Sequence, residues 1–203
     1  MTIPILLGSV RHTSNGAGLA DHLLQRCKVN GIKAALVSDL LPSGISLPIG
    51  PVFDETITAM IQDSSDYKDA QVQAWSKLVS TSPAIIILTP QYNWSFPGPL
   101  KNALDHLYHE WHNKSILLVT YGGHGGNKCA DQLKQVLEGG LKAKLVTEPV
   151  MITLSSSFIR GDERINAFKD DQKEFRKQYE EKLDYALQTL QKASIKYNSE
   201  ALS

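Results

Sequence analysis

The chain has 203 residues, 42% of them hydrophobic and 21% charged, with 21 basic side chains against 21 acidic ones. That length and composition suit one soluble domain over residues 1–203, able to bury a full core without staples. Without a basic surplus nucleic acid is not an expected partner, and the acidic balance of an electron shuttle that docks on a basic protein is missing as well.

The opening "MTIPILLGSVRH" carries an apolar run with no basic region before it and no small-residue cleavage site, so it reads as a first strand and not a leader. No apolar run approaches the roughly 18 residues of a membrane span. Cys27 and Cys129 form no metal or redox spacing. A reducing, soluble compartment such as the cytoplasm is expected.

Residues 3–8, "IPILLG", are the first strand. Leu19, Ala20, Leu23, Leu24 and Cys27 then recur at helical spacing and predict a helix over 15–28, stopped near Gly31. "KAALVS" at 33–38 is a second strand. Residues 42–68 hold Pro42, Gly44, Pro48, Gly50 and Pro51 and read as a long irregular loop, with a short helix in "ETITAMIQ". Val72, Trp75, Leu78 and Val79 place a helix over 69–81. Ala84–Leu88 is apolar throughout, as a parallel strand covered on both faces must be.

Leu100, Ala103, Leu104 and Leu107 form the inner face of a helix with Pro99 in its first turn. "SILLVT" at 115–120 is a fourth buried strand, followed by a helix carrying Ala130, Leu133, Val136 and Leu137 that ends at Gly139–Gly140. A fifth strand lies within 144–154, split or bent near Pro149. Ile165, Phe168, Phe175, Tyr179, Leu183, Leu187 and Leu190 predict a last helix over about 162–193, its opposite face charged. Alternating strands and helices mean an α/β fold, a three-layer parallel sheet with helices on both faces; for five strands the flavodoxin-like order 2-1-3-4-5 is expected.

In such sheets ligands bind beyond the carboxyl ends of the strands, near the switch point. Three unusual loops follow strands 1, 3 and 4, which this order makes neighbours. "GSVRHTSNG" leads into a helix N-terminus and offers Ser9, Arg11, Thr13, Ser14 and Asn15, a set suited to phosphate but equally to an N-cap cluster. "TPQYNWSFPG" presents Tyr92, Asn93 and Trp94 between Pro90 and Pro97, a stiff wall suited to a flat heterocycle. "YGGHGG" supplies bare backbone around His124. Phosphate, planar ring and bare backbone together describe a flavin mononucleotide. His106, His109 and His112 recur near a helix end but lack a carboxylate or Cys to complete a metal set, so they read as scaffold. Cys129 reads as a small buried hydrophobe.

The motifs "LLGSVRHTSN", "TPQYNWSFPGPLKNALDHL" and "YGGHGG" resemble the flavodoxin-like NAD(P)H-dependent FMN reductases, which include quinone and azo-dye reductases. The stretch "YNWSFPGPLKNALDHLYHEW" is most similar to the small fungal quinone reductases of that group. The resemblance implies bound FMN, NAD(P)H as co-substrate and a homodimer with the flavin near the subunit interface. It also implies two-electron ping-pong reduction of quinones and similar acceptors, such as azo dyes, free flavin and ferric compounds. It places Ser9, Arg11, Ser14 and Asn15 on the phosphate. Pro90, Gln91, Tyr92, Asn93 and Trp94 would contact the isoalloxazine, and Tyr121, Gly122, Gly123 and Gly126 its far rim. The flavin carries the hydride, so no catalytic side chain is expected; Trp94 and the glycine loop would border the stacking site of nicotinamide and quinone. A flavin-bound redox sensor acting through a protein partner, or a one-electron flavodoxin-type carrier, are the alternative readings.

Overall fold

The computed structural model describes residues 1–11, 14–52 and 56–200, with side chains described as far as residue 195. Its strands are β1 Ile3–Leu7, β2 Ala34–Leu36, β3 Ala84–Pro90, β4 Ser115–Gly122, β5 Lys144–Leu145 and β6 Val150–Thr153. The helices are α1 Asn15–Val29, α2 Val37–Leu40, α3 Ala70–Thr81, α4 Gly98–Asp105, α5 Asn127–Lys134, α6 Ser156–Arg160 and α7 Lys173–Glu200. All strand pairs are parallel, in the order β2-β1-β3-β4-β5 with β6 also on β4. That is the flavodoxin-like order expected. The split near Pro149 is real: β5 and β6 follow one another along the same edge of β4.

The sheet divides the core into two layers, because successive strand residues point to opposite faces. In β3, Ile86 and Leu88 meet α1 and α7, where Leu23, Cys27, Leu187 and Leu190 are buried. Ile85 and Ile87 point the other way, against Trp75 of α3, Leu104 of α4 and Leu133 of α5. Two indoles lock that second layer. Trp75 donates Nε1–H to the Ala103 carbonyl at 2.8 Å, Trp111 donates to that of Leu104 at 3.2 Å, and the rings meet edge to face at 6.0 Å. Among the described residues, no helix is long and apolar enough to cross a membrane.

Three sequence expectations change. The second strand stops at Leu36, and Val37 turns inward as the start of α2, buried in the second layer with Leu41. Among its described residues the long loop contains only 3-10 turns, at Thr58–Met60 and Ser64–Asp66, and Glu55 lies outside the described residues. His106 and His109 hold this loop, through hydrogen bonds to the Gly50 and Ala59 carbonyls at 2.9 and 2.7 Å.

The third change is the largest. The last helix begins at Lys173, after a 3-10 turn at Asp170–Gln172, and not near residue 162. Residues 161–169 are held by tertiary bonds that a helix could not make. Ile165 N–H donates to Asn15 Oδ1 at 3.0 Å, Asn166 N–H donates to Gln172 Oε1 at 2.7 Å, and Arg176 reaches the Asn166 and Lys169 carbonyls. Ile165 is buried by this route, while Phe168, expected on the inner stripe, stands 74% exposed.

Candidate functional site

Because β1, β3 and β4 are neighbours, the segments leaving their carboxyl ends meet. Between them lies a cleft of about 220 Å³. From the first loop it takes Arg11, Ser14 and Asn15; from the second Pro90, Gln91 and Tyr92; from the third Tyr121, Gly122 and Gly123. Ser9, Asn93, Trp94 and Gly126 are not among its walls. Thr13 lies outside the described residues.

The loops hold one another. Ser9 Oγ and the Tyr92 hydroxyl share a hydrogen bond of 2.7 Å, which fixes the second loop against the first. The Arg11 guanidinium stands 4.6 Å from the centre of the Tyr92 ring, a cation–π distance. The second loop closes on itself: Tyr92 N–H donates to the Ser95 carbonyl and Ser95 N–H to that of Tyr92, both at 2.8 Å. Asn93 and Trp94, at φ 46° and 71°, occupy the two central positions of a type I′ turn. Gln132 of α5 donates to the Trp94 carbonyl at 3.1 Å and accepts from the Ser95 hydroxyl. The turn lifts Trp94 clear of the cleft, two-thirds exposed, with Lys128 Nζ 5.7 Å from its ring centre. Trp94 is therefore a rim residue.

Two helix N-termini face this edge, and they differ. At α5, the Gln91 side-chain carbonyl accepts from the N–H groups of Lys128 and Cys129 at 3.0 and 3.4 Å. Gln91 lines the cleft and at the same time closes that helix end. Gly126 begins α5 at φ +75°, and a Cβ there would lie 3.0 Å from Thr120 Cβ and from the Tyr121 nitrogen, so only glycine fits. At α1, by contrast, the N-cap Ser14 makes no side-chain capping bond. Ala17 N–H turns back to the Ser14 carbonyl at 3.3 Å, and the partial positive charge of this helix start suits an outside anion. Tyr121 reaches the same spot: a Cβ on Gly16 would lie 2.5 Å from its hydroxyl. Burial pushes the Tyr121 phenol well above its ordinary value, so it stays a proton donor at neutral pH.

Asn15 has a second task. Its Nδ2 donates to the Phe158 carbonyl at 2.8 Å and its Oδ1 accepts from Ile165 N–H, which fastens the segment after β6 to the start of α1. That segment supplies walls the sequence did not reveal, namely Leu154, Phe158, Ile159 and Arg164. Its signal was present in "SSSFIRGDER", a serine cluster, a glycine and an extra arginine just beyond the carboxyl end of a strand. The apolar periodicity of residues 165–190 concealed it.

The walls fit a phosphorylated, flat molecule. A helix start whose N-cap Ser14 makes no capping bond and two guanidinium groups serve it, and among the described residues no carboxylate lines the cleft. Tyr92 is held by Ser9 and Arg11, and Gly122 and Gly123 add wall without side chains. The cleft volume is below the roughly 300–1,000 Å³ of an enclosing pocket, so it grips part of such a ligand and leaves a face open. Cys129 takes no part: it is buried beneath, and desolvation pushes its thiol up to about 12. Cys27 and Cys129 are both unpaired.

Residues 1–155 match the family described as NADPH-dependent FMN reductase. The chain is 52% identical over 95 residues to an NAD(P)H-dependent FMN reductase of Saccharomyces cerevisiae, 47% of this chain and 50% of that protein. It thus spans about half the length of that yeast relative. It is 31% identical over 144 residues to a quinone reductase of Escherichia coli, 68% of this chain and 69% of that protein. Among solved structures, the NAD(P)H:(acceptor) oxidoreductase FerB of Paracoccus denitrificans superposes with a TM-score of 0.62 at 18% identity, over 95% of this chain and 98% of that one.

Proposed function

The chain belongs to the NADPH-dependent FMN reductase family, and from that membership we propose that it is an FMN-dependent oxidoreductase that passes two electrons from NAD(P)H to quinones. The observation that carries the reading is the cleft itself, with its uncapped helix start, its arginines, its braced tyrosine and its bare glycine wall in one continuous surface. When bound there, FMN would supply the hydride-accepting ring, taking a hydride from NAD(P)H and returning two electrons to the acceptor.

The side chains named above bind and orient. In this reading Ser14, Asn15 and Arg11 hold the phosphate end. Pro90 and Tyr92 fix the ring from one side and Gly122 and Gly123 from the other; Gln91 keeps the second loop in place by closing α5. Ser9 holds Tyr92, and Gly126 gives the third loop its left-handed turn. Asn93 and Trp94 form the rim over which nicotinamide and acceptor pass in turn, a ping-pong use of one open face. Azo dyes, free flavin and ferric compounds are candidate acceptors for the same face. A homodimer would cover Trp94, Met151 and Ile159, which stand 67%, 45% and 44% exposed. We read residues 1–203 as one domain. Two unpaired cysteines suit a reducing compartment such as the cytoplasm.

The test is spectroscopic. Purified protein should show a flavin band or take up added FMN, bleach on anaerobic mixing with NADPH or NADH, and recover with a benzoquinone. No flavin uptake would overturn the proposal. Uptake with no bleaching, or with a stable one-electron form during titration, would leave a sensor or a carrier in its place.

A further inference from the structure

We propose that Arg164 is a second phosphate hook that closes on the flavin's phosphate opposite Arg11, and that the segment carrying it is fastened to α1 for that purpose. The inference rests on the proposed function and deepens it. It concerns a part of the chain beyond residue 155, where the family match ends.

Arg164 lines the cleft although it lies far along the chain from the three loops. Its guanidinium is held in place. Nη1 donates to the carbonyls of Gly161 and Glu163 at 2.7 and 2.6 Å. Those bonds fix the plane of the fork, and its remaining N–H groups have no protein acceptor among the described residues. A fixed arginine with uncommitted donors is arranged for a planar or tetrahedral oxyanion.

Its position selects the phosphate end. The next residue, Ile165, donates its N–H to Asn15 Oδ1 at 3.0 Å, and Asn15 Nδ2 donates to the Phe158 carbonyl at 2.8 Å. A Cβ on Gly18 would lie 1.8 Å from the Ile165 carbonyl oxygen, so the segment rests directly on the backbone of α1. Arg164 is thereby tied to the first turn of α1, the helix start that lacks a side-chain cap.

Charge points the same way. Among the described residues, two guanidinium groups and no carboxylate line the cleft. A phosphate monoester carries about −1.5 to −2 charges at pH 7, which two arginines match. Each phosphate of a pyrophosphate diester carries only about one. The monoester of the flavin is the better counterpart.

The experiment compares FMN with riboflavin, which lacks the phosphate, by fluorescence titration of flavin-free protein. Arg164→Ala should weaken FMN about 10- to 100-fold and riboflavin less than about 2-fold. Arg164→Lys should recover part of the loss, since it restores charge without the fork. Hydrogen exchange over residues 156–165 should slow with FMN more than with riboflavin. Equal losses for both flavins would make Arg164 a mere wall and overturn the proposal. So would unchanged FMN affinity, including the case in which only the KM for NADPH rises. If the wild-type protein takes up neither flavin, the proposed function falls and this inference with it. If wild type and Arg164→Ala take up FMN equally, this inference alone falls.

Discussion

The two edges of the sheet are both polar, and they use their polar groups in opposite ways. At the amino edge, just before β4, Glu110 accepts from the Tyr67 and Ser76 hydroxyls and from Tyr108 N–H. Lys114, almost fully buried, donates to the Ser80 and Ser82 carbonyls at 3.4 and 2.6 Å. At the carboxyl edge the N-cap Ser14 of α1 makes no side-chain capping bond, and Arg164 keeps donors without a protein acceptor among the described residues. A cavity of about 220 Å³ exists at each edge, so volume does not separate them. What separates them is the charged groups: at the amino edge Glu110 and Lys114 meet partners within the protein, although His112 Nε2 in the same cavity meets none among the described residues. A charged cluster that answers its own needs holds the fold; one that leaves them open recruits a ligand.

Substitutions at the two edges should therefore move different observables. The largest effect is expected at Glu110→Ala, which removes an acceptor shared by three donors. It should cost about 3 kcal/mol in denaturant unfolding while leaving FMN affinity within about 2-fold. A fall in FMN affinity without loss of stability would break the comparison. Next, Arg11→Ala should weaken FMN about 10- to 100-fold and leave the unfolding midpoint of flavin-free protein unchanged.

The third expectation is a pH dependence. Desolvation lowers the Lys114 ammonium to about 8 from its ordinary 10.5. Between those values the unfolded chain holds more protons at this site than the folded one, so stability rises with pH across that window. In Lys114→Met this part of the rise should vanish, as paired unfolding curves at pH 7.5 and pH 10 would reveal. The smallest effect belongs to Ser14→Ala. Losing a working N-cap costs about 1 kcal/mol, but this serine makes no capping bond, so stability should change by less than about 0.5 kcal/mol. FMN should nonetheless bind several-fold more weakly. A full capping loss in the flavin-free protein would mean that the serine already serves the helix.

The parts legible in the sequence were those with strong local signals. Continuous apolar runs such as "AIIIL" announced buried strands, and their alternation with helical periodicity led to the sheet order. The order then brought three loops together, and nine of the thirteen expected binding residues line the cleft. The parts missed depend on contacts far apart in the chain. Ile165 is apolar and buried, which fits a helix face, but its backbone answers Asn15 some 150 residues earlier. Gln91 looks like a ring contact by position, and only the approach of α5 gives its carbonyl two N–H groups. The place of Trp94 beside the cleft walls, by contrast, is local, set by the left-handed backbone of its own turn.

The divided last strand bears on how copies of this chain can meet. One side of the sheet ends in β2, three residues long and followed at once by a helix; the other ends in β5 and β6, two and four residues separated by a break at Pro149. The Tyr179 hydroxyl accepts from Thr153 N–H at 3.1 Å and donates to its carbonyl at 3.2 Å, occupying backbone groups that a foreign strand would seek. Neither border offers the long, straight ladder on which strands from separate molecules stack into fibrils. The sheet is a poor seed for growth.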